Sequence, residues 1–492
     1  MQTFLTKTSQ KKIRMFNFLL EEKKWRTIKE IQDLLELSAK SIILYAEELE
    51  HLFKKYNGQI ELKNENNQRF FLFKEEDFPI YNIYLHYYYQ SYNYYLIDFI
   101  YHNPYKNLED FADKQFTSVS TVFRYAKLLV PYFKRCKIKF HPFALELDAN
   151  EANIRAFFYY FYWNSTRRGG WPFKSSQKKI LKYVSQFEKV YKISLLSLQK
   201  RIFSYWLAII LDRFTIYPVK LDTHTEKIAA ADENFSLVNI WLSQCDLVFP
   251  IPEQLFLYQV LYSFGVIDGN RLYEKSHAKA HQLNNSTSYA AVTNLQRVIQ
   301  DDFQFKLDTK DSELLFNFIA FHERSQLFFG NTDVFFNYSF IKKLQRQQKE
   351  VAHIILDFYR HLQLVAPENV RQLLKNKEQL FLSYYYILDY YDLPLKKQEP
   401  IKILIADDLH HTHRLWLMNK VKNYFGNAYP LSFYDYELDV SRADLVISNY
   451  YFDTDQTPLL LMKNFPTERN WRTLEKLLYK ISHKKQAEQT YK

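Results

Sequence analysis

Between Lys114 and Phe140 the chain carries seven basic residues, Lys114, Arg124, Lys127, Lys134, Arg135, Lys137 and Lys139, and no acidic one. Such a stretch suits a polyanion, because each phosphate it neutralises releases condensed counterions. Within it Val122, Ala126, Leu129, Val130 and Phe133 follow the spacing of one apolar helix stripe. Ser120, Thr121 and Arg124 fall off that stripe and have the hydroxyl and guanidinium groups that read base edges. Lys127 and the basic segment Lys134, Arg135, Lys137 and Lys139 are placed to grip phosphate, and Ser118 stands at the preceding turn. A weaker candidate lies upstream, where Lys40 and Ser41 open a helix that Glu47, Glu48 and Glu50 make repulsive to phosphate.

Other chemistries find less support. His410-His411-Thr412-His413 is one clustered loop without distant Cys, Asp or Glu partners fixed by spacing, so no metal site is expected. Ile403-Leu404-Ile405-Ala406-Asp407-Asp408 looks like the first strand and acidic pair of a phospho-receiver. The strand that would supply the nucleophilic aspartate, Leu445-Val446-Ile447, ends instead in Ser448-Asn449. No GxxxxGK[ST], GxGxxG, HExxH or GxSxG motif occurs, although a chain with 7 glycines has little material for such loops. Neither an enzyme nor a cofactor is expected.

The basic stretch has to be held by surrounding elements, and their order is informative. Helices are predicted over 10–24, 27–35 and 40–56, with Ser38 at an N-cap position, followed by alternating strands at 59–62 and 69–73. The order recurs as a long helix 81–101, a short one 107–114, a Thr117-Ser118 turn, a helix 120–133 and a wing at 137–147. Helix, short helix, turn, helix and hairpin is the plan of a winged helix-turn-helix, here in tandem over 1–75 and 76–150. Amphipathic helices are then predicted over 151–163, 176–191, 195–214, 254–264, 286–299, 311–328, 341–364 and 370–391, with Leu207 to Arg213 echoed 111 residues later by Phe318 to Arg324, which points to two helical domains, 151–282 and 283–396. Beyond Pro400 strands and helices alternate, predicting a small α/β domain with a parallel sheet over 397–492. The fold class is therefore mainly α and multidomain.

Composition agrees with this reading. The 492 residues suffice for several domains, and so few glycines leave little for positive-φ hairpin turns. The 42 Phe, 40 Tyr and 7 Trp sit mostly on helix faces such as Ala156 to Trp163, where packing accounts for them. Net charge is +11, yet residues 1–148 hold 22 basic against 19 acidic side chains, so the useful charge is local. Cys136 and Cys245 are too few for a secreted disulfide framework, and the longest apolar run, eight residues, is too short to span a bilayer. Lys11, Lys12 and Arg14 interrupt any secretory signal. A cytoplasmic protein with no membrane partner is expected.

Glu151-Ala-Asn-Ile-Arg-Ala-Phe-Phe-Tyr-Tyr-Phe-Tyr-Trp163, followed by Gly170-Trp171-Pro172-Phe173, resembles the Mga/AtxA class of virulence regulators of Gram-positive bacteria. Asp110-Phe111-Ala112 and Ser118-Val119-Ser120-Thr121 match that family's second DNA-binding module. The resemblance covers essentially the whole chain. It implies two helix-turn-helix modules, two phosphotransferase regulation domains and a C-terminal domain like sugar-transport enzyme IIB. The chain lacks any cysteine beyond Cys245, so the phosphocysteine of cysteine-type IIB enzymes has no counterpart, and self-association is the expected role of that domain. The resemblance further implies a transcriptional regulator of promoter DNA, acting as a homodimer or higher oligomer. It also implies tuning by histidine phosphorylation from the phosphocarrier protein HPr. His322 is the first candidate, beside Glu323 and Arg324 on the repeated helix, with Leu211 at the matching earlier position. His224, in a predicted loop after Leu221-Asp222-Thr223, and His277 and His281 are the others. The alternative is an interaction scaffold whose winged modules bind protein.

Overall fold

A computed structural model describes residues 5–166, 170–221, 223–308, 312–330, 340–434 and 440–490. Asp222, in the predicted loop before His224, and Asp311, the first residue of the helix predicted over 311–328, lie outside the described residues. The chain divides into two compact units, residues 1–289 with 310–339, and residues 290–309 with 340–492. The predicted second helical domain, 283–396, thus contributes to both.

The first unit opens with helices Lys7–Leu20, Ile28–Leu35 and Ala39–Phe53 and a sheet in which strand Arg69–Lys74 lies between Arg26–Thr27 and Ile60–Glu65, antiparallel to both. Local chemistry sets these boundaries. Thr27 and Glu30 form a reciprocal capping box, and the Ser38 hydroxyl accepts the Ser41 N–H, as its sequence position predicts. Ile42, Ala46, Leu49 and Phe53 turn inward together. The hairpin turn uses Asn66 and Asn67, at φ 51° and 59°, in place of glycine. Scarce glycine has not excluded such turns, because asparagine and other residues occupy the left-handed region instead.

The second module follows the same order: Leu108–Lys114, Val119–Arg135 and a hairpin pairing Lys139–His141 with Glu146–Asp148. The long helix predicted over 81–101 is instead two, Tyr81–Tyr88 and Tyr92–His102, separated by extended Ser91. The break lets each half serve a different module. Tyr84 packs on Phe16 of the first, whereas Phe99 packs on Phe111 of the second. On the predicted stripe Val122, Ala126, Leu129 and Phe133 are buried, but Val130 is 37% exposed and Tyr132 takes the inward position.

Helix Glu151–Thr166 completes this core: Phe157 meets Tyr132 and Phe133, and Phe161 stacks on Tyr94. Its Arg155, fully buried, forks onto Glu253 at 2.6 and 2.9 Å, and Glu151 bridges Arg155 to Arg213. Asp212, beside Arg213 on helix Ser197–Arg213, accepts from Tyr101 and from the Lys174 and Ser175 amides. The helices Thr223–Ala231, Ser236–Gln244 and Arg271–Leu283 were not predicted.

In the second unit a parallel sheet runs in the order Leu431–Tyr434, Ile401–Ala406, Leu445–Ser448, Leu459–Leu461, flanked by helices His411–Phe425 and Glu468–Thr490. Its two central strands are almost wholly apolar and buried, as a parallel sheet covered on both faces requires. Among the described residues no helix is long and apolar enough to cross a membrane.

Candidate nucleic-acid interface and a buried histidine cluster

Helix Val119–Arg135 is seated by its neighbours. The Asn107 side chain caps Leu108–Lys114 through the Glu109 and Asp110 amides, and the Ser118 hydroxyl accepts the Thr121 N–H that begins the next helix. Between the two helices Phe116 takes φ 50° and is 98% exposed. With Val122, Ala126, Leu129 and Phe133 inward, all seven basic residues from Lys114 to Lys139 are exposed. Ser120, Arg124 and Lys127, four and three positions apart, share one exposed stripe, with Thr121 half-buried beside it. Phe123 braces Lys127 and Tyr125 braces Arg124, with cation-to-ring distances of 4.7 and 5.8 Å. Lys134 and Arg135 end the helix, Lys137 turns into the wing at φ 56°, and Lys139 leads its first strand, 3.9 Å from Asp148. Ser118, grouped with these by sequence, is committed to the cap and to Thr121 Oγ1 at 2.9 Å. Lys40 is exposed and Ser41 half-buried at the start of the first module's third helix, but Glu47 and Glu48 are exposed on the same helix.

The four candidate histidines separate sharply by environment. His224 lies in the first turn of helix Thr223–Ala231, not in a loop, and is partly exposed. His322 is fully buried; its Nδ1 sits 2.7 Å from the Phe318 carbonyl, and burial depresses its pKa to about 3. His277 and His281 are also buried, one helical turn apart on Arg271–Leu283, facing Glu323 of helix Ser312–Leu327. Tyr258 links His277 Nδ1, at 2.9 Å, to Asp232 Oδ2, at 2.8 Å, and His281 Nδ1 meets Ser286 Oγ at 2.7 Å. Burial pushes the Asp232 carboxyl up, but His277 and the Ser276 hydroxyl hold it down to about 2. Burial depresses His277 as well, yet Asp232 and Glu323 raise it above the ordinary imidazole value; His281 is driven well below by burial. Sequence reasoning named both histidines singly and missed their convergence on Glu323, because the helix that sets their spacing was not predicted.

In the second unit Asp407 and Asp408 follow the C-terminal end of central strand Ile401–Ala406. Asn449 donates to Asp408 at 2.6 Å, and both ring nitrogens of His413 are engaged, one by Asp407 and one by the Asn464 carbonyl at 2.7 Å.

Comparison with known proteins agrees with this geometry. The Mga helix-turn-helix domain matches residues 76–162, the second winged module together with most of helix Glu151–Thr166. A putative trans-acting regulator of Streptococcus pneumoniae is 20% identical over 509 aligned positions, covering 94% of this chain and 96% of that protein. The capsule synthesis positive regulator AcpB of Bacillus anthracis is 19% identical, covering 96% and 98%. Residues 76–162 thus match the Mga helix-turn-helix domain, and the chain is similar along almost its whole length to two proteins named as regulators, which supports its likeness to the Mga/AtxA regulators.

Proposed function

We propose that the protein is a cytoplasmic, homo-oligomeric transcriptional activator that binds double-stranded promoter DNA mainly through its second winged module. The observation that carries this reading is the exposed, acid-free stretch from Lys114 to Phe140, which spans helix Val119–Arg135 and enters the first strand of its wing, inside the segment that matches a helix-turn-helix domain. Ser120, Thr121 and Arg124 enter the major groove; Lys127, Lys134, Arg135, Lys137 and Lys139 hold phosphate; Lys40 and Ser41 add a lesser contact. Activation rather than repression follows the sense of the positive regulator it is similar to. Binding measured against salt tests the assignment. Lys137→Ala with Lys139→Ala weakens all sequences alike and flattens the salt slope by about one unit per lysine, whereas Arg124→Ala costs about 1–3 kcal/mol and relaxes sequence preference. A triple variant that keeps wild-type affinity and slope overturns it.

Phosphorylation by HPr is proposed at His224, the partly exposed member of the four candidates; His277, His281 and His322 offer a phosphodonor almost no surface in this conformation. Incubation with phosphorylated HPr labels the wild-type chain and not His224→Ala. Unchanged labelling of that variant refutes the site.

A further inference from the structure

Three buried polar atoms of the first unit have no hydrogen-bond partner among the described residues and face one another: His277 Nε2, His281 Nε2 and Glu323 Oε2. Glu323 Oε2 lies 3.4 Å from His277 Nε2 and Glu323 Oε1 3.7 Å from His281 Nε2, and one donor atom from each residue lies within 4.8 Å of the other two. Each residue is at most 2% exposed, so no bulk water serves these atoms.

The outer contacts leave one nitrogen of each ring, Nε2, for the Glu323 carboxylate. The Tyr258 hydroxyl has one proton; given to Asp232, it leaves the oxygen to accept from His277 Nδ1–H. With Nδ1 so engaged, Nε2 is the nitrogen left to face the carboxylate, and in the neutral ring it presents a lone pair there. Ser286 Oγ at 2.7 Å can fix His281 in the same way. Tyr262 stacks on the His277 ring at 3.8 Å and 8°, which holds its plane. Two lone pairs and a carboxylate oxygen converging in an apolar interior require a positive charge among them. One proton bridges a single edge of this triangle; a cation satisfies all three.

We propose that His277, His281 and Glu323 bind one divalent transition-metal ion, Zn2+ by preference. Two imidazoles at i and i+4 on one helix and a carboxylate from a second are borderline donors suited to zinc, and the two carboxylate–imidazole separations lie near the roughly 3.3 Å edge of a tetrahedron with bonds of about 2.0–2.1 Å. Water takes the fourth position. Asp232, acting through Tyr258, is the outer-shell carboxylate that orients a ligating histidine. The ion ties helix Arg271–Leu283 to helix Ser312–Leu327. This inference does not depend on DNA binding or on phosphorylation at His224, and its test contains neither DNA nor phosphodonor.

The full-length chain, stripped with chelator, is titrated with Co2+ and followed by its visible d–d absorption, then challenged with Zn2+. Expected are one saturable equivalent of Co2+ per chain, displacement by Zn2+, and an X-ray absorption shell of two imidazoles and oxygen without sulfur. Glu323→Gln weakens binding at least about 10-fold, and Asp232→Asn, which leaves all three ligands in place, weakens it about 10–100-fold. Absence of a saturable equivalent overturns the proposal. So do affinities unchanged in both variants, or a shell with fewer than two imidazoles. Should Glu323→Gln fail to fold, the Asp232→Asn titration and the wild-type shell decide.

Discussion

Single side chains carry much of this protein's specificity of structure, and Arg155 is the clearest case. It is fully buried, forked onto Glu253, bonded to Glu151 and donating to the Tyr217 carbonyl at 2.9 Å. Removing the guanidinium leaves a buried carboxylate without its countercharge, so Arg155→Met is expected to cost about 3–5 kcal/mol in urea unfolding. The sequence motif from Glu151 to Trp163 contains Arg155, but its partner is 98 residues away, and no local pattern identifies Glu253. His413 gives a pH-dependent counterpart. Burial works against its charged form, but the Asn464 carbonyl, Asp407 and Asp408 outweigh it and raise its pKa. Trp416 stacks on the ring's face, so these three groups and Asn449 beside them are its polar surroundings. A raised folded-state pKa means that the folded form binds the proton more tightly. The stabilisation is thus full below the unfolded value of about 6.5 and is lost as pH rises through the folded one. Denaturant midpoints followed by Trp416 fluorescence should fall across that window in wild type, and His413→Asn should remove this component.

At the scale of elements, boundaries depend on caps and turns that are short-range and therefore legible in sequence. Ser38 and Ser118 cap their helices through Ser41 and Thr121 as their positions predict. Ser118→Ala should cost about 1 kcal/mol in thermal unfolding and lower DNA affinity, since it frays the end that presents Ser120 and Thr121. Phe116 is the opposite case, an exposed aromatic held in the left-handed region where its Cβ is strained. Phe116→Asn should raise stability by roughly 0.5–1 kcal/mol, because asparagine tolerates that conformation better; a calorimetric midpoint that falls instead refutes the account. Elements lacking such signals were missed. Helix Arg271–Leu283 has no side-chain cap at Asn270 and alternates Lys, His and Ala in Ser276 to His281, so neither boundary nor stripe is evident before its histidines turn inward.

For the whole molecule, module order was readable because each module has its own periodicity: winged hairpins, helical stripes and then apolar strands. The division into two units was not readable, since it separates most of helix Thr287–Phe303 from helix Ser312–Leu327 although they are neighbours in sequence. Within the first unit, long-range contacts join helix Glu151–Thr166 and the segment after helix Ser312–Leu327 to the proposed DNA-reading helix. Asn153 donates to the Cys136 carbonyl at 3.1 Å, at the C-terminal end of helix Val119–Arg135, and accepts the Phe329 N–H at 3.1 Å, just beyond helix Ser312–Leu327. Gly330 lies so close that an added Cβ would stand 2.7 Å from Cys136 Cα. A single buried amide therefore clasps the end of one helix to the end of the other, and the glycine admits the approach. Asn153→Ala orphans a buried carbonyl and a partly buried N–H together, at a cost of about 1–3 kcal/mol for each fully buried group. If the clasp couples the two segments, amide exchange should accelerate jointly at Phe133 to Cys136 and at Phe328 to Gly330, and Gly330→Ala, which wedges the same contact apart, should do likewise. Acceleration confined to one segment in both variants means that the helices move independently, and that a change at helix Ser312–Leu327 does not reach helix Val119–Arg135 by this path.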